Sequence, residues 1–575
     1  MSEKDPTPGA PRARGTLGFA IRSALRAAAA AVVLSVALAG CGGIPSSGSV
    51  VAGDVITEDE SFPFAALPSD PQPGSSPQEI LTDFMQAASS PEKDYEIARK
   101  FLTPLADVEW QPTTSVLIRE GSGSMTMTEE NLIDYGVSTL SSVDSLGVYR
   151  EDRTAATQQL TFGFEEVDGQ WRISQLADGT IMSRDNFEAA FAAHALYFFD
   201  PSFRYLVPDV RWFPTRSSVP NKIVLALLGG QASWLQQGAT LTAFPQGTEL
   251  VTPVDVTSGR AVIDLSDEAA QASAVDKARM QQQLESSLGT VSVNTVTMTV
   301  RSVPLIVPDP GDSSATVTPL VDSEPLVIQG DRLGFATASS FASISGLSEK
   351  VVAANPSAVT LARGQASAAV LAAGGVYRIT TADPEPAYLD GRTDLVAPSI
   401  DAWKYVWSVP STSAAALIAV GTDGVQHPLA STLPADATVV SMDVSRDGTR
   451  ILLYLNTDAG PRLQVSAILR RDGVPTALGG SIDLPVASDT PLDAAWVDDR
   501  NVATIALSGG NEIVTVFQIG GPSTSLGRAD GGVRIVGGNG TEQIRVLTGS
   551  GSVLQRRASG WQSTGLVASV LATQQ

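Results

Sequence analysis

One cysteine in 575 residues, Cys41, leaves no internal disulfide, and two histidines far apart in sequence, His194 and His427, are poor material for a metal site. Metal chemistry through thiolate or imidazole is set aside, and no cofactor is implied. Charged side chains are scarce at 17%, whereas glycine (51) and proline (35) are plentiful, a balance that suits turn-rich β structure better than long surface helices. The charge that is present runs one way. A formal net charge of -23 opposes attraction to nucleic acid and to anionic lipid head groups, so neither is expected as a ligand. Motifs of common chemistries are missing as well: there is no Gly-x-Ser-x-Gly elbow and no Gly-Lys-Ser phosphate loop.

The amino terminus reads as an address. Lys4, Arg12, Arg14, Arg22 and Arg26 precede an apolar run of Ala, Val and Leu from Ala27 to Leu38. That is the pattern of a signal peptide over 1–40, too short for the roughly 20 residues of a spanning helix. It ends in Leu38-Ala39-Gly40-Cys41, the form of a bacterial lipobox, in which the cysteine thiol takes a diacylglycerol and becomes the new amino terminus. Several acyl chains, at about 0.8 kcal/mol per buried methylene, hold a protein stably on a membrane where one chain does not. Residues 41–75, rich in Gly, Ser, Pro and acidic groups without apolar periodicity, read as a tether.

Beyond the tether the pattern predicts a multidomain chain: two α+β domains followed by an all-β propeller. The first domain, 76–182, opens at Ser76-Pro77-Gln78-Glu79, a capping box with proline at the first helical position. A second helix is expected after Ser90-Pro91, carrying Tyr95, Ala98, Phe101 and Leu102, with Pro104 ending it. Asp168-Gly169 marks a hairpin between two apolar runs. The second domain, 195–307, contains a strand at Ala261-Val-Ile-Asp-Leu, a helix from about Ala274 to Leu288 with Ala278, Leu284 and Leu288 inward, and alternation from Val291 to Val303. From 325 to 575 short β runs recur. Ser357-Ala-Val-Thr-Leu, Ser399-Ile-Asp-Ala-Trp, Ser445-Arg-Asp-Gly-Thr, Asp493-Ala-Ala-Trp-Val and a unit at Ile535 mark at least five repeats, spaced as propeller blades of about 40 to 50 residues are.

Several local patterns invite chemistry and have plainer accounts. Ser90-x-x-Lys93 matches a serine nucleophile spacing, but its partner motifs are missing, and Pro91 makes Ser90 a helix cap. Gly229-Gly230 reads as a helix end and turn. Asp443-x-Ser445-x-Asp447-Gly448 opens like a calcium loop, yet Tyr454 stands where the bidentate carboxylate belongs, so a β-turn is the better reading. Glu165-Glu166 and Asp498-Asp499 are adjacent in sequence, where strand side chains diverge, and read as solvated charge.

Taken together, the Leu38-Ala39-Gly40-Cys41 anchor, the helical opening at Ser76, the Leu196-Tyr197-Phe198 and Ala243-Phe244-Pro245-Gln246-Gly247-Thr248 segments and the terminal repeats resemble the actinobacterial LpqB lipoproteins over nearly the whole mature chain. Within that resemblance, 195–307 is similar to a GerMN domain and 325–575 to the LpqB propeller. The resemblance implies a lipoprotein on the extracytoplasmic face of the cell membrane, with Cys41 as the lipidated residue. It further implies modulation of a membrane sensor histidine kinase, of the MtrB type, through that kinase's extracytoplasmic domain, with effects on cell-wall metabolism and division. It supplies no catalytic residues, and the chain is expected not to be an enzyme. The second expectation is an envelope module that binds peptidoglycan or another glycan, with the propeller face or the GerMN-like region as its platform. Trp403, Trp407, Trp496 and Trp561 are then the candidate sugar platforms, although aromatic residues at repeat positions are more often blade core.

Overall fold

A computed structural model describes residues 69–575 apart from 130, 216–217, 310, 312–313, 488 and 559. The expected signal peptide, Cys41 and most of the expected tether lie outside the described residues. The described residues belong to one compact unit containing two α+β domains and a β-propeller.

The first helix, Pro77–Ala87, begins at the capping box read from the sequence: Ser76 N–H donates to Glu79 Oε2 at 2.8 Å, and Ser76 Oγ accepts from Glu79 N–H at 3.4 Å. The bond from the Ser76 N–H foremost, and a second from Ser76 Oγ to Glu79 Oε2 at 2.9 Å, hold the Glu79 carboxyl below its usual range. Ile80, Leu81 and Phe84 face the core, where Phe84 and Tyr95 surround Trp110 at 5.4 and 5.8 Å. The next segment departs from expectation. Ser90 caps no helix, because Lys93, Asp94 and Tyr95 all take left-handed φ values and the short helix starts only at Glu96. Pro104 does not end a helix but opens one, Pro104–Glu109, with Thr103 Oγ1 accepting from Ala106 N–H. Proline at the first helical position forfeits no hydrogen bond, since that N–H is unpaired in any helix. Five strands cover these helices, ordered Gln170–Gln175, Tyr149–Val167, Leu132–Asp144, Ser115–Glu129 and Thr180–Ser183, the last pair parallel. The Asp168-Gly169 turn joins the first two, both residues at positive φ as that turn requires.

A hairpin, Phe191–Phe199 with Leu206–Pro214, opens the second domain, and every residue of its second strand is buried. Around it lie the helices Val219–Leu228 and Ala274–Leu288 and a four-stranded sheet that includes Arg260–Leu265 and Thr295–Val300. Ala278, Leu284 and Leu288 point inward as their spacing predicts. Alternation across 291–303 is only partly strand, because Gly289–Val291 is a 3-10 turn and Ser292 takes positive φ.

The propeller has six blades, where the repeats in sequence showed five. Blades two to six are consecutive four-stranded meanders starting at Ala358, Ser399, Thr438, Thr490 and Gly532. Blade one is composite. Leu326–Gln329, Arg332–Ala336 and Phe341–Ala342 receive their fourth strand, Val570–Gln574, from the carboxyl terminus, with Ile328 opposite Val570. That strand also runs parallel to the first strand of blade two, Thr360 opposite Thr573, and so joins the two ends of the ring. The inner strands of the blades are largely buried on both faces, and their side chains alternate between neighbours. In Ser367–Ala372, Ala368 and Val370 join a cluster with blade one, whereas Ala369 joins a cluster with blade three. One such apolar cluster fills each junction between blades. No blade can therefore bury its own surface alone.

Leu571, on the closing strand, is 2% exposed and packs in the cluster between blades six and one. Leu571→Ala is expected to cost about 2–5 kcal/mol, and deletion of 570–575 to expose the edge of Leu326–Gln329 and cause self-association. Thermal unfolding and size-exclusion chromatography check this; a monomeric deletion product with wild-type melting would refute the role of that strand.

Candidate functional site

The three domains meet around the second strand of the buried hairpin. Trp212 reaches both neighbours: its backbone N–H donates to Gly147 O at 2.8 Å in the first domain, and its indole N–H to Gly520 O at 2.9 Å in the propeller. Its ring packs 5.0 Å from Phe187 and 5.9 Å from Tyr149, inside an apolar cluster that includes Val116, Ile118 and Val143. Gly520 has φ +77°, and an added Cβ would stand 3.2 Å from Val210 O, so the close approach depends on glycine.

Arg211, beside it, is 1% exposed. Its guanidinium grips Asp209 through Nε at 3.1 Å and Nη2 at 2.7 Å, and donates onward to Leu146 O at 3.0 Å and Gly230 O at 3.3 Å. Asp209 also accepts from Ala232 N–H at 2.7 Å. A buried charge pair is tolerated when its remaining donors and acceptors are satisfied, as they are here. The pair ties the first domain's turn at Leu146 to the end of the helix Val219–Leu228. Gly229 and Gly230 are that helix's cap and turn, as the sequence indicated.

Two further contacts seat the second domain and the following linker on the propeller. Trp234 backs onto blade four, where a Cβ at Gly480 would lie 2.6 Å from Trp234 Cα. On the linker, Val321 exchanges both backbone hydrogen bonds with the Asn539 side chain at 2.9 Å each, and Arg446 reaches Gly538 O at 2.6 Å and Pro319 O at 3.4 Å. Between these contacts a cleft of about 460 Å³ remains, lined from all three domains by Asp144, Arg150, Asp152, Arg211, Trp234 and Asp483 among others. It is the candidate site.

The residues singled out from sequence lie elsewhere. His194 is buried in the hairpin, Nδ1 3.4 Å from Thr290 Oγ1, its pKa lowered by burial, while His427 sits in blade three near Tyr405. Lys93 pairs with Glu96 at 3.3 Å. Asp447 binds Arg450 and accepts from Thr449 N–H at 2.8 Å, so the calcium-like segment is a turn, with Gly448 at φ +71°. Asp443, buried on the first strand of blade four, is bonded by Ser399 Oγ at 3.0 Å and Gln575 Nε2 at 2.8 Å, and burial pushes its carboxyl up to about 6. Glu165 and Glu166 are exposed as expected, but Asp498-Asp499 is not solvated charge. Asp498 organises a turn to Asn501, and Asp499 is 8% exposed, accepts from Thr318 Oγ1, and is raised in pKa by burial.

The four proposed sugar platforms are structural. Trp407 is fully buried with its indole N–H on Asp401, Trp496 donates to Asp443 O, and Trp561 donates to Leu526 O. The guanidinium groups of Arg470 and Arg204 lie over the Trp403 ring, 4.0 and 5.2 Å from its centroid. Sequence reading missed Arg150, Asp152, Trp234 and Asp483 as a group, and no spacing signal connects them.

Three families match the chain in succession: the Lipoprotein LpqB N-terminal domain over 70–188, a sporulation and spore germination domain over 195–305, and the Lipoprotein LpqB beta-propeller domain over 332–570. A Lipoprotein LpqB of Cutibacterium acnes is 25% identical over 554 residues, covering 89% of this chain and 91% of that one. Another, of Thermobifida fusca, is 30% identical over 264 residues, covering 43% and 42%. Among solved structures, the first GerMN domain of the Bacillus subtilis sporulation protein GerM aligns with 22% of this chain and 97% of its own, at 20% identity and a TM-score of 0.18.

Trp212→Ala is expected to cost about 3–5 kcal/mol and to loosen the domains. Its readout is faster proteolysis and deuterium exchange at 144–148 and 519–521. Arg211→Met, which leaves the buried Asp209 carboxylate without its counter-charge, should cost a similar roughly 3–5 kcal/mol, and Arg211→Met with Asp209→Leu should recover part of it. Equal stability of the single and double variants would contradict that account of the pair.

Proposed function

The chain belongs to the LpqB lipoprotein family, whose members are membrane-anchored envelope proteins, and on that premise we propose that it is a non-catalytic accessory of a membrane sensor histidine kinase. Lipid on Cys41 holds it on the extracytoplasmic face, and contact with the kinase's extracytoplasmic domain biases the kinase between signalling states. The kinase is of the MtrB type, linked to cell-wall metabolism and division. No helix among the described residues is long and apolar enough to cross a membrane.

The observation that carries the reading is the mutual fixing of three domains around Trp212 and Arg211. A body of this kind presents surfaces from separate domains at a set spacing, which is what a protein needs to recognise one conformation of a partner rather than merely adhere to it. An accessory shifts a two-state partner only by its differential affinity for the two states. Confinement to the same membrane raises local concentration, so a modest affinity suffices. The chain's net charge of -23 favours a basic patch on the partner and makes encounter sensitive to salt.

Co-reconstituted with its kinase in one vesicle, the lipidated protein is expected to change autophosphorylation, and Cys41→Ser to lose most of that effect at the same total concentration. Association of the soluble form should weaken as salt rises from 50 to about 300 mM, where the Debye length falls well below about 10 Å. Unchanged phosphorylation with no binding at low salt would overturn the reading.

A further inference from the structure

At about 460 Å³, the cleft where the three domains meet has the size of a small-molecule site, a class of pocket of roughly 300–1,000 Å³ that favours domain interfaces. Many of its polar groups are already occupied. Arg211 is neutralised by Asp209, Asp144 Oδ1 accepts from the N–H groups of Leu146 and Val148, and Glu151 accepts from the Tyr149 hydroxyl and Arg184. Asp483 Oδ1 holds Arg462 Nε at 2.8 Å. The side-chain amides of Gln231 and Gln236 donate to Thr240 O and Gln231 O. Among the described residues, Arg150 and Asp152 are exposed and make no ion pair or side-chain hydrogen bond, and the indole N–H of the half-buried Trp234 has no acceptor.

These unfilled groups define the chemistry of an occupant. The lining holds Asp144, Glu151, Asp152 and Asp483 against Arg150 and Arg211, with Arg211 already paired, so a polyanion would be repelled. A purely apolar ligand would cover Arg150, Asp152 and the Trp234 N–H without bonding them, at a cost for each. A sugar meets all three demands: its hydroxyls both donate and accept, and the C–H face of its ring packs on an indole.

We propose that the three-domain cleft is a saccharide-binding site for a short neutral or amino-bearing oligosaccharide. Trp234, half-buried against the apolar cluster between blades four and five, supplies its remaining ring surface and an N–H donor, Asp152 accepts from ring hydroxyls, and Arg150 donates to them. Because the walls come from all three domains, bound sugar favours their docked arrangement over any looser one. This goes beyond the kinase-accessory reading and does not depend on it.

The test is saturation-transfer NMR and calorimetry on the full-length chain in detergent micelles, with chitotriose and maltotriose as probes and trialanine and inorganic phosphate as comparators. One or both sugars are expected to bind at one site, and Asp152→Asn, Arg150→Gln and Trp234→Phe each to weaken binding roughly tenfold, a hydrogen bond's worth. Arg150 and Asp152 are exposed, so their variants should fold normally, and Trp234→Phe keeps an aromatic ring against blade four. The proposal is overturned if neither sugar binds at millimolar concentration, if binding is indifferent to all three substitutions, or if only the peptide or the phosphate binds.

Discussion

Two hydrogen bonds tie Trp212 to separate domains, one to Gly147 in the first domain and one to Gly520 in the propeller. The strand that carries them is buried along its whole length, so the hairpin of the second domain has little surface of its own to give to water. Its burial is completed by its neighbours. Contacts between domains in one chain usually permit relative motion; here an apolar cluster, a buried guanidinium and close approaches at Gly480 and Gly520 oppose it. Placement of the cleft, and of the surfaces offered to a partner, follows from this one junction.

The propeller supplies the fixed side of that junction. Its first and last strands are joined in one blade, with Ser569 N–H on Ile328 O across 241 residues of sequence, so the ring cannot form until both ends of the domain are present. Contacts of such separation are slow to form and are lost together. Buried charges reinforce the closed ring: Arg470 with Asp401 and Arg450 with Asp447 are both nearly inaccessible to solvent, and each guanidinium also lies over a tryptophan, Trp403 and Trp496 respectively.

Legibility in the sequence followed the distance between interacting residues. The capping box at Ser76 and Glu79 and the turn at Asp168-Gly169 are local, and the structure has both. Thr103-Pro104 carried the same type of signal as Ser76-Pro77, and the reading of proline as a stop hid it. Ser90-Pro91 carried it too, yet the left-handed run at Lys93, Asp94 and Tyr95 shows tertiary packing overriding a good cap. Blade one escaped notice because a quarter of it lies at the other end of the domain. The tryptophans that looked available for sugar are consumed by bonds to Asp401, to the backbone of Asp443 and to Leu526, partners that no repeat pattern announces. The cleft was illegible for the same reason, since its walls come from residues near 150, 234 and 483.

An accessory that works by presenting several domains at a fixed spacing should need that spacing more than it needs any one surface. Autophosphorylation of the reconstituted kinase, measured beside wild-type protein and beside Trp212→Ala at equal bound amounts, separates the two requirements. The account predicts that the loosened variant still associates with the kinase but shifts its phosphorylation far less than wild type. A Trp212→Ala protein that shows faster exchange at the junction and yet shifts the kinase fully would contradict it.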